Sequence, residues 1–185
     1  MPKKFIHDFR VISNQDLNDE HFVLQLQPDE ELPDIQPGQF AEVLVEGSPS
    51  TFLRRPLSIH YADPVARTLE LLIQRKGDGT RKLSSLQPGD TLNLVYPLGN
   101  HFTSVQNQSV LLVGGGCGIA PLLYLAMSLN QMGNEVTILT GARTASGIME
   151  QERFKEYGTV HATTEDGTLG TKGFVIHHAL WRKQP

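Results

Sequence analysis

The stretch Leu111-Leu112-Val113-Gly114-Gly115-Gly116-Cys117-Gly118-Ile119-Ala120-Pro121-Leu122 constrains the fold more than any other. An apolar run enters a glycine-rich turn, and an apolar helical pattern follows. Val110 to Val113 predicts a strand buried on both faces, as in a parallel sheet. Glycines without a Cβ let the backbone turn tightly and bring N–H groups close to an anion. Pro121 suits the first turn of a helix, where its missing N–H costs nothing. A helix N-terminus behind such a turn favours phosphate. The spacing Gly116-x-Gly118-x-x-Pro121 is close to the dinucleotide fingerprint, with proline in the third place. Alone it also fits a tight strand-to-helix turn with no ligand.

The rest of the chain narrows this. Its 185 residues leave room for one large or two small domains, and 39% apolar residues can build a real core. Sixteen lysines and arginines against twenty acids give a net charge of −4, so no basic field argues for nucleic acid. No apolar run reaches the length of a membrane span, and Met1-Pro2-Lys3-Lys4-Phe5 has no apolar signal core behind it. One cysteine excludes an internal disulfide framework and an all-cysteine metal site within the chain. The cytoplasm is the default location.

Before the pivot, strand patterns recur between turns. Residues 5–12, 21–26 and 39–45 read as strands, with a proline-bearing acidic loop over 28–37. Phe52-Leu53-Arg54-Arg55-Pro56-Leu57-Ser58-Ile59-His60 follows. At strand spacing Arg55 and Leu57 share a face and Ser58 takes the other, although Pro56 can distort that alternation. A guanidinium here can hold phosphate bidentately, or the pair is merely two arginines flanking an edge strand. Residues 68–74 predict another strand. Gly77 and Gly79 then loosen the backbone, and Thr80 predicts the N-cap of a short helix over Arg81–Leu86, a second candidate anion site. Residues 92–96 predict a sixth strand before Pro97-Leu98-Gly99-Asn100. Strands at this spacing with one short helix imply a closed antiparallel barrel.

From Val110 the rhythm becomes strand, helix, strand, helix. A helix is predicted over Leu122–Met132, a strand over Glu135–Thr140, an amphipathic helix over Ile148–Tyr157, a strand over Thr159–Thr164 and a third helix over Phe174–Trp181. This βαβαβα pattern is half of a doubly wound sheet. The acidic residue that usually grips an adenine ribose after the second strand is absent, and Arg143 stands near that place. Three parallel strands leave one edge unprotected, so further strands are expected after Pro185. The expected domains are a β-barrel over 1–104 and a partial α/β domain over 105–185.

An antiparallel barrel followed by an α/β half, with Arg55-Pro56-Leu57-Ser58, Gly77-x-Gly79-Thr80, Pro97-Leu98-Gly99-Asn100 and the Gly114–Pro121 loop in that order, resembles the ferredoxin-NADP reductase superfamily. Within it, Arg54 to Ile59, Gly99-Asn100-x-Phe102 and Glu165-Asp166-Gly167-Thr168-x-Gly170-Thr171-Lys172-Gly173-Phe174-Val175 resemble the electron transfer subunits of dihydroorotate dehydrogenase B. The resemblance implies a six-stranded FAD-binding barrel and an NAD-binding domain. It implies that Arg55, Pro56, Leu57 and Ser58 bind FAD, the arginine near the pyrophosphate and Ser58 near the flavin ring. Leu72, Ile73 and Gln74 would line the flavin. Gly79 and Thr80 would offer backbone N–H groups to the pyrophosphate. Gly115, Gly116 and Gly118 would approach NAD. Family members pass electrons between NAD and FAD, then through a 2Fe-2S cluster to FMN on a catalytic partner subunit, in a heterotetramer that oxidises dihydroorotate for pyrimidine synthesis.

Two departures stand out. The cluster needs four cysteines in a C-terminal segment, and Cys117 is the single cysteine here. The C-terminal strands of the nucleotide domain are not found either, so the resemblance implies a chain truncated at its C-terminus. No catalytic acid or base is expected, because the cofactor carries hydride chemistry. Arg143 suggests a 2′-phosphate and NADP, whereas the resemblance favours NAD. Glu165-Asp166 either binds a ribose or shapes a turn. Two other readings stand beside the first. One is a flavin reductase subunit of another complex, of sulfhydrogenase or ferredoxin:NADP oxidoreductase type. The other is a cofactor-free fragment that keeps only the fold and a docking surface.

Overall fold

The computed structural model describes residues 3–48 and 50–182. The chain divides into two compact units, Met1–Phe102 and Thr103–Pro185. In the first, β1 (Phe5–Asp16), β2 (His21–Pro28), β3 (Phe40–Val43), β4 (Arg55–Asp63), β5 (Thr68–Gln74) and β6 (Thr91–Leu98) close into a barrel of order β1-β2-β5-β4-β3-β6. Every pair is antiparallel. Period-two alternation sends Phe9, Val11, Phe22, Leu24, Leu26, Ala41, Val43, Leu69, Leu71, Ile73, Leu94 and Tyr96 inward, each buried. Burial of each large apolar side chain contributes about 1.5–3 kcal/mol before entropy is counted. Closure leaves no open edge among these strands.

The helix α1 (Asp78–Leu83) begins three residues before its expected start. Gly77 is the N-cap, and Thr80 lies in the first turn instead of capping it. The physical reason is that the Thr80 hydroxyl reaches back, accepting the N–H groups of Lys76 (2.9 Å) and Gly77 (3.1 Å). This satisfies donors that a cap would otherwise have to meet. Leu83 anchors α1 in the core. Asn14 on β1 donates to the Ser84 and Leu86 carbonyls (3.1 and 2.9 Å), fixing the end of the helix to the barrel.

Arg75 ties the β1–β2 hairpin to the end of β5. It pairs with Asp16, donates to the Asn18 carbonyl (3.2 Å) and lies over the Phe22 ring. Beside it His21 is buried, with Nδ1 against Asn18 Oδ1 (3.0 Å) and Nε2 without a hydrogen-bond partner among the described residues. Burial pushes the imidazole below the usual 6.5; Glu20 opposes the shift and Arg75 adds to it. The folded state therefore prefers neutral His21. That stability is present above pH 6.5 and is lost as pH falls through the depressed folded value. Thermal denaturation of the protein should show a midpoint that drops between pH 7 and 5, and His21→Gln should flatten that dependence. An equal acid slope in the variant would assign it to other groups.

In the second unit, β7 (Ser109–Gly115), β8 (Glu135–Ala142), β9 (Thr159–Thr164) and β10 (Thr171–Lys172) form a parallel sheet of order β10-β9-β8-β7. β10 is a fourth strand that the periodicity did not reveal, because it has two residues. β7 was expected to be buried on both faces. Leu112 is buried, but Val110, Leu111 and Val113 are half-buried, because β7 is outermost in the described sheet. The helix α2 (Leu122–Gln131) buries Leu122, Leu123, Leu125, Ala126 and Leu129, and Gly133 ends it in the left-handed region (φ +77°). Buried Asn134 then donates to the Val105 and Leu129 carbonyls (2.7 and 2.8 Å) and accepts from Gln108 N–H (3.0 Å), stitching the helix end to the start of β7.

Two expected helices differ. The one predicted over Ile148–Tyr157 contracts to α3 (Gln151–Lys155), since Ile148 is extended and Glu150 takes a left-handed conformation (φ +61°). The one predicted over Phe174–Trp181 is two 3-10 turns, Val175–His177 and Ala179–Arg182, broken by extended His178. Its β-branched and histidine residues are weak helix formers, and His177 Nδ1 accepts the Phe174 N–H (3.2 Å), a local bond that competes with the helix. No helix among the described residues is long and apolar enough to cross a membrane.

Candidate functional site

The expected site residues form one group in each unit. In the barrel, β4 starts opposite the end of β3, with Val43 across from Arg55, Ala41 across from Leu57 and Phe40 across from Ser58. Arg55 and Leu57 therefore share a face and Ser58 takes the other; Pro56 does not disturb the alternation, and is exposed. The half-buried Arg55 side chain makes no hydrogen bond or ion pair among the described residues. Its Nε lies 3.3 Å from the point where a Cβ on Gly79 would stand. Thr51 Oγ1 lies 3.3 Å from the same point and also meets Ser48 Oγ (2.8 Å). Missing a side chain, Gly79 leaves a small cradle between the Arg55 guanidinium, the Thr51 side chain and the first turn of α1.

The helix adds donors. Its first intrahelical bond runs from Arg81 N–H to the Gly77 carbonyl (3.0 Å), so the N–H groups of Gly79 and Thr80 precede the ladder. The Thr80 hydroxyl is committed to Lys76 and Gly77, so its backbone N–H is what it can offer a ligand. A pyrophosphate needs a cation and convergent N–H groups, and this donor set fits one. The neighbouring Arg54 does something different. It donates to the Glu42 carbonyl (3.3 Å) and to the carbonyl and Oδ1 of Asn93 (3.1 and 2.6 Å).

The three residues expected to line a flavin separate along β5. Ile73 is inside the barrel with Leu69 and Leu71. Leu72 and Gln74 alternate to the other face, beside Val23 and His21 of β2. Ile73 can therefore meet a ligand through its backbone alone. Gly99 (φ +80°) lies with its missing Cβ 2.8 Å from the Phe40 ring, and Gly38 (φ +99°) similarly faces Phe102 (2.9 Å), so these glycines permit ring packing at the barrel end.

In the α/β unit the glycines of the pivot have distinct jobs. A Cβ on Gly114 would lie 2.8 Å from Leu122 and 3.1 Å from the Gly118 carbonyl, so Gly114 serves the packing of α2 on β7. Gly116 needs its left-handed conformation (φ +52°), and both Gly116 and Gly118 face open space. Gly115 is exposed, with the Gly141 carbonyl 3.5 Å from its missing Cβ. Gly115, Gly116 and Gly118 thus present bare backbone at the C-terminal end of a parallel strand, where open α/β sheets bind ligands. Pro121 follows a 3-10 turn over Gly116–Ile119 and is the N-cap of α2.

At the end of β9 the Asp166 carboxylate accepts from Thr168 Oγ1 (2.7 Å) and N–H (3.0 Å), bonds that hold it below the usual carboxylate range. Asp166 shapes the turn. Exposed Glu165 makes no side-chain hydrogen bond or ion pair among the described residues, and Arg143 is exposed nearby in the chain trace, its carbonyl accepting Asp166 N–H (3.2 Å). A 2Fe-2S cluster does not fit the chain, which has one cysteine, half-buried Cys117. No group of three metal-ligating side chains occurs among the described residues. Sequence reading missed Ser48, Thr51 and Asn93; a run of hydroxyls ahead of the paired arginines was the available signal.

No protein-family model matches the chain. An electron transfer subunit of dihydroorotate dehydrogenase B (NAD(+)) from Listeria monocytogenes serotype 4b is 38% identical over 171 residues, 91% of this chain and 66% of that protein. The subunit of the same name from Geobacillus kaustophilus is 39% identical over 143 residues, 76% of this chain and 56% of that protein. This chain spans at most about two thirds of the length of these relatives. Among solved structures, an NADH-dependent reduced ferredoxin-NADP oxidoreductase studied for flavin-based electron bifurcation has a TM-score of 0.85 at 29% identity, over 95% of this chain and 64% of that one. A ferredoxin-NADP+ reductase from Plasmodium falciparum shares the fold, with a TM-score of 0.78 at 16% identity, over 96% of this chain and 80% of its own. At this identity, and with a fold shared with these reductases, the chain belongs to the family of dihydroorotate dehydrogenase B electron transfer subunits, within the ferredoxin reductase-like proteins.

Proposed function

We propose that this chain is the FAD-binding and NAD-binding part of an electron transfer subunit that serves a cytoplasmic, FMN-containing dihydroorotate dehydrogenase in pyrimidine biosynthesis. The observation that carries the reading is half-buried Arg55, unpaired among the described residues and facing the cradle left by Gly79. A desolvated cation without a partner is costly unless a ligand supplies the anion. FAD, when bound, supplies the two-electron to one-electron conversion. The chain's own residues bind and orient: Arg55 and the Gly79 and Thr80 N–H groups hold pyrophosphate, and Ser58, half-buried with no side-chain hydrogen bond among the described residues, offers a hydroxyl near the ring. The bare backbone of Gly115, Gly116 and Gly118 receives NAD. The relatives are named as NAD(+)-type subunits, so NADH should reduce the flavin with a lower KM than NADPH.

The visible spectrum of the purified chain, before and after FAD addition and desalting, tests the reading. Retained flavin bands are expected. A colourless protein that fails to keep added FAD would overturn it and leave a cofactor-free fragment with the fold alone. The likeness to the NADH-dependent reduced ferredoxin-NADP oxidoreductase supports a second reading, a reductase serving another electron carrier. NADH-dependent turnover with each partner separates the two.

A further inference from the structure

We propose that Arg54 is a positioning residue for the pyrophosphate site, which holds Arg55 in place without touching the cofactor itself. The inference rests on the reading of Arg55 given above. The β3–β4 ladder stops at Val43–Arg55, so the backbone before Arg55 has no strand partner in that ladder. The Arg54 side chain takes over at that point. It lies on the outward face of the barrel with Glu42 and Asn93, the face opposite Arg55. Its guanidinium donates to the Glu42 carbonyl (3.3 Å), the Asn93 carbonyl (3.1 Å) and Asn93 Oδ1 (2.6 Å). Asn93 Nδ2 donates in turn to Asp8 Oδ1 (2.6 Å), and its carbonyl also takes Leu44 N–H (2.9 Å).

One planar fork thus bridges the start of β4 to β3 and β6, and through Asn93 to β1. The geometry needs the rigid spread of guanidinium donors; a lysine ammonium cannot meet all three acceptors in that plane. The two adjacent arginines divide the work, one fixed in the protein and the other without a partner among the described residues. That division explains why neighbouring residues of the same type have opposite hydrogen-bonding states.

A double-mutant cycle read as FAD dissociation constants tests this. Flavin fluorescence is titrated to millimolar FAD, and the thermal midpoint of each FAD-free variant is recorded. Arg54→Lys should weaken FAD binding about tenfold, the size of one misplaced charge-assisted hydrogen bond. In an Arg55→Gln background the same change should have no further effect, because Arg54 acts through Arg55. Asn93→Ser should behave as Arg54→Lys does, and it carries the test if Arg54→Lys does not fold. Equal losses in both backgrounds would overturn the inference and leave Arg54 a barrel-stabilising residue. Unchanged affinity in Arg55→Gln alone would overturn the pyrophosphate reading, and the inference with it.

Discussion

Gly79→Val should weaken FAD binding by roughly 100-fold, about 2.7 kcal/mol, while the barrel stays folded. A Cβ at Gly79 would lie 3.2 Å from the Thr51 methyl and 3.3 Å from Arg55 Nε. Both neighbours are atoms of half-buried side chains, not backbone, so an alanine is accommodated by shifts of a few tenths of an ångström. It should cost little affinity, and it adds helix propensity of about 1 kcal/mol. The two branches of valine go further. They fill the cradle, push the guanidinium aside and cover the first-turn N–H groups. Relative to glycine, valine carries no helix penalty, being better by about 0.3 kcal/mol, so helix propensity gives no reason for the unit to unfold. Isothermal titration with FAD, paired with thermal denaturation of the FAD-free protein, checks both halves. Tight FAD binding by Gly79→Val would show that the pyrophosphate lies elsewhere.

The largest stability effect is expected at Gly170. It sits in the left-handed region (φ +66°), and a Cβ there would overlap the Ala162 carbonyl oxygen on β9. Unlike the neighbours of Gly79, that atom belongs to a strand paired with β8 and cannot yield. Gly170→Ala should destabilise the α/β unit by about 3 kcal/mol or more, through backbone strain and displacement of the loop that leads into β10. Gly167→Ala is the comparison. Its φ is +81°, but its close neighbours are Lys172 side-chain atoms, which can move, so about 1 kcal/mol is expected. Hydrogen exchange resolved along the chain separates the units: faster exchange over β8 and β9 is expected for Gly170→Ala, with the barrel strands unchanged. Protection equal to the parent in β9 would refute the backbone clash.

Much of this molecule was legible before any coordinate. Period-two runs in residues 5–12, 21–26 and 68–74 specify strands, since side chains alternate across a pleat whatever the rest of the chain does. The Leu122–Met132 stripe and Gly133 specify a helix and its end for an equally local reason. Chemistry tied to residue type was readable too: one cysteine excludes a four-cysteine cluster, and paired arginines beside a proline mark an anion site candidate. Elements set by nonlocal bonds were not. Thr80 carries a capping residue's side chain, but its hydroxyl is used from the third helical position, and Asn14, far away in sequence, holds the end of α1. The 174–181 stretch has helical apolar spacing, yet His177 and extended His178 break it into 3-10 turns. β10 is too short for any period to show.

The division was sharpest at the site. Sequence alone determined that Arg54 and Arg55 are cations next to a strand and that Gly79 lacks a side chain. Identical side chains side by side carry no local signal of which one is free. The family resemblance pointed to Arg55 as the phosphate-binding one, and the tertiary structure decided what each guanidinium meets, because the partners of Arg54 come from β3 and β6 while Arg55 lies beside Gly79 of α1. Local periodicity fixes which way a side chain points, and the assembled barrel fixes what it meets there.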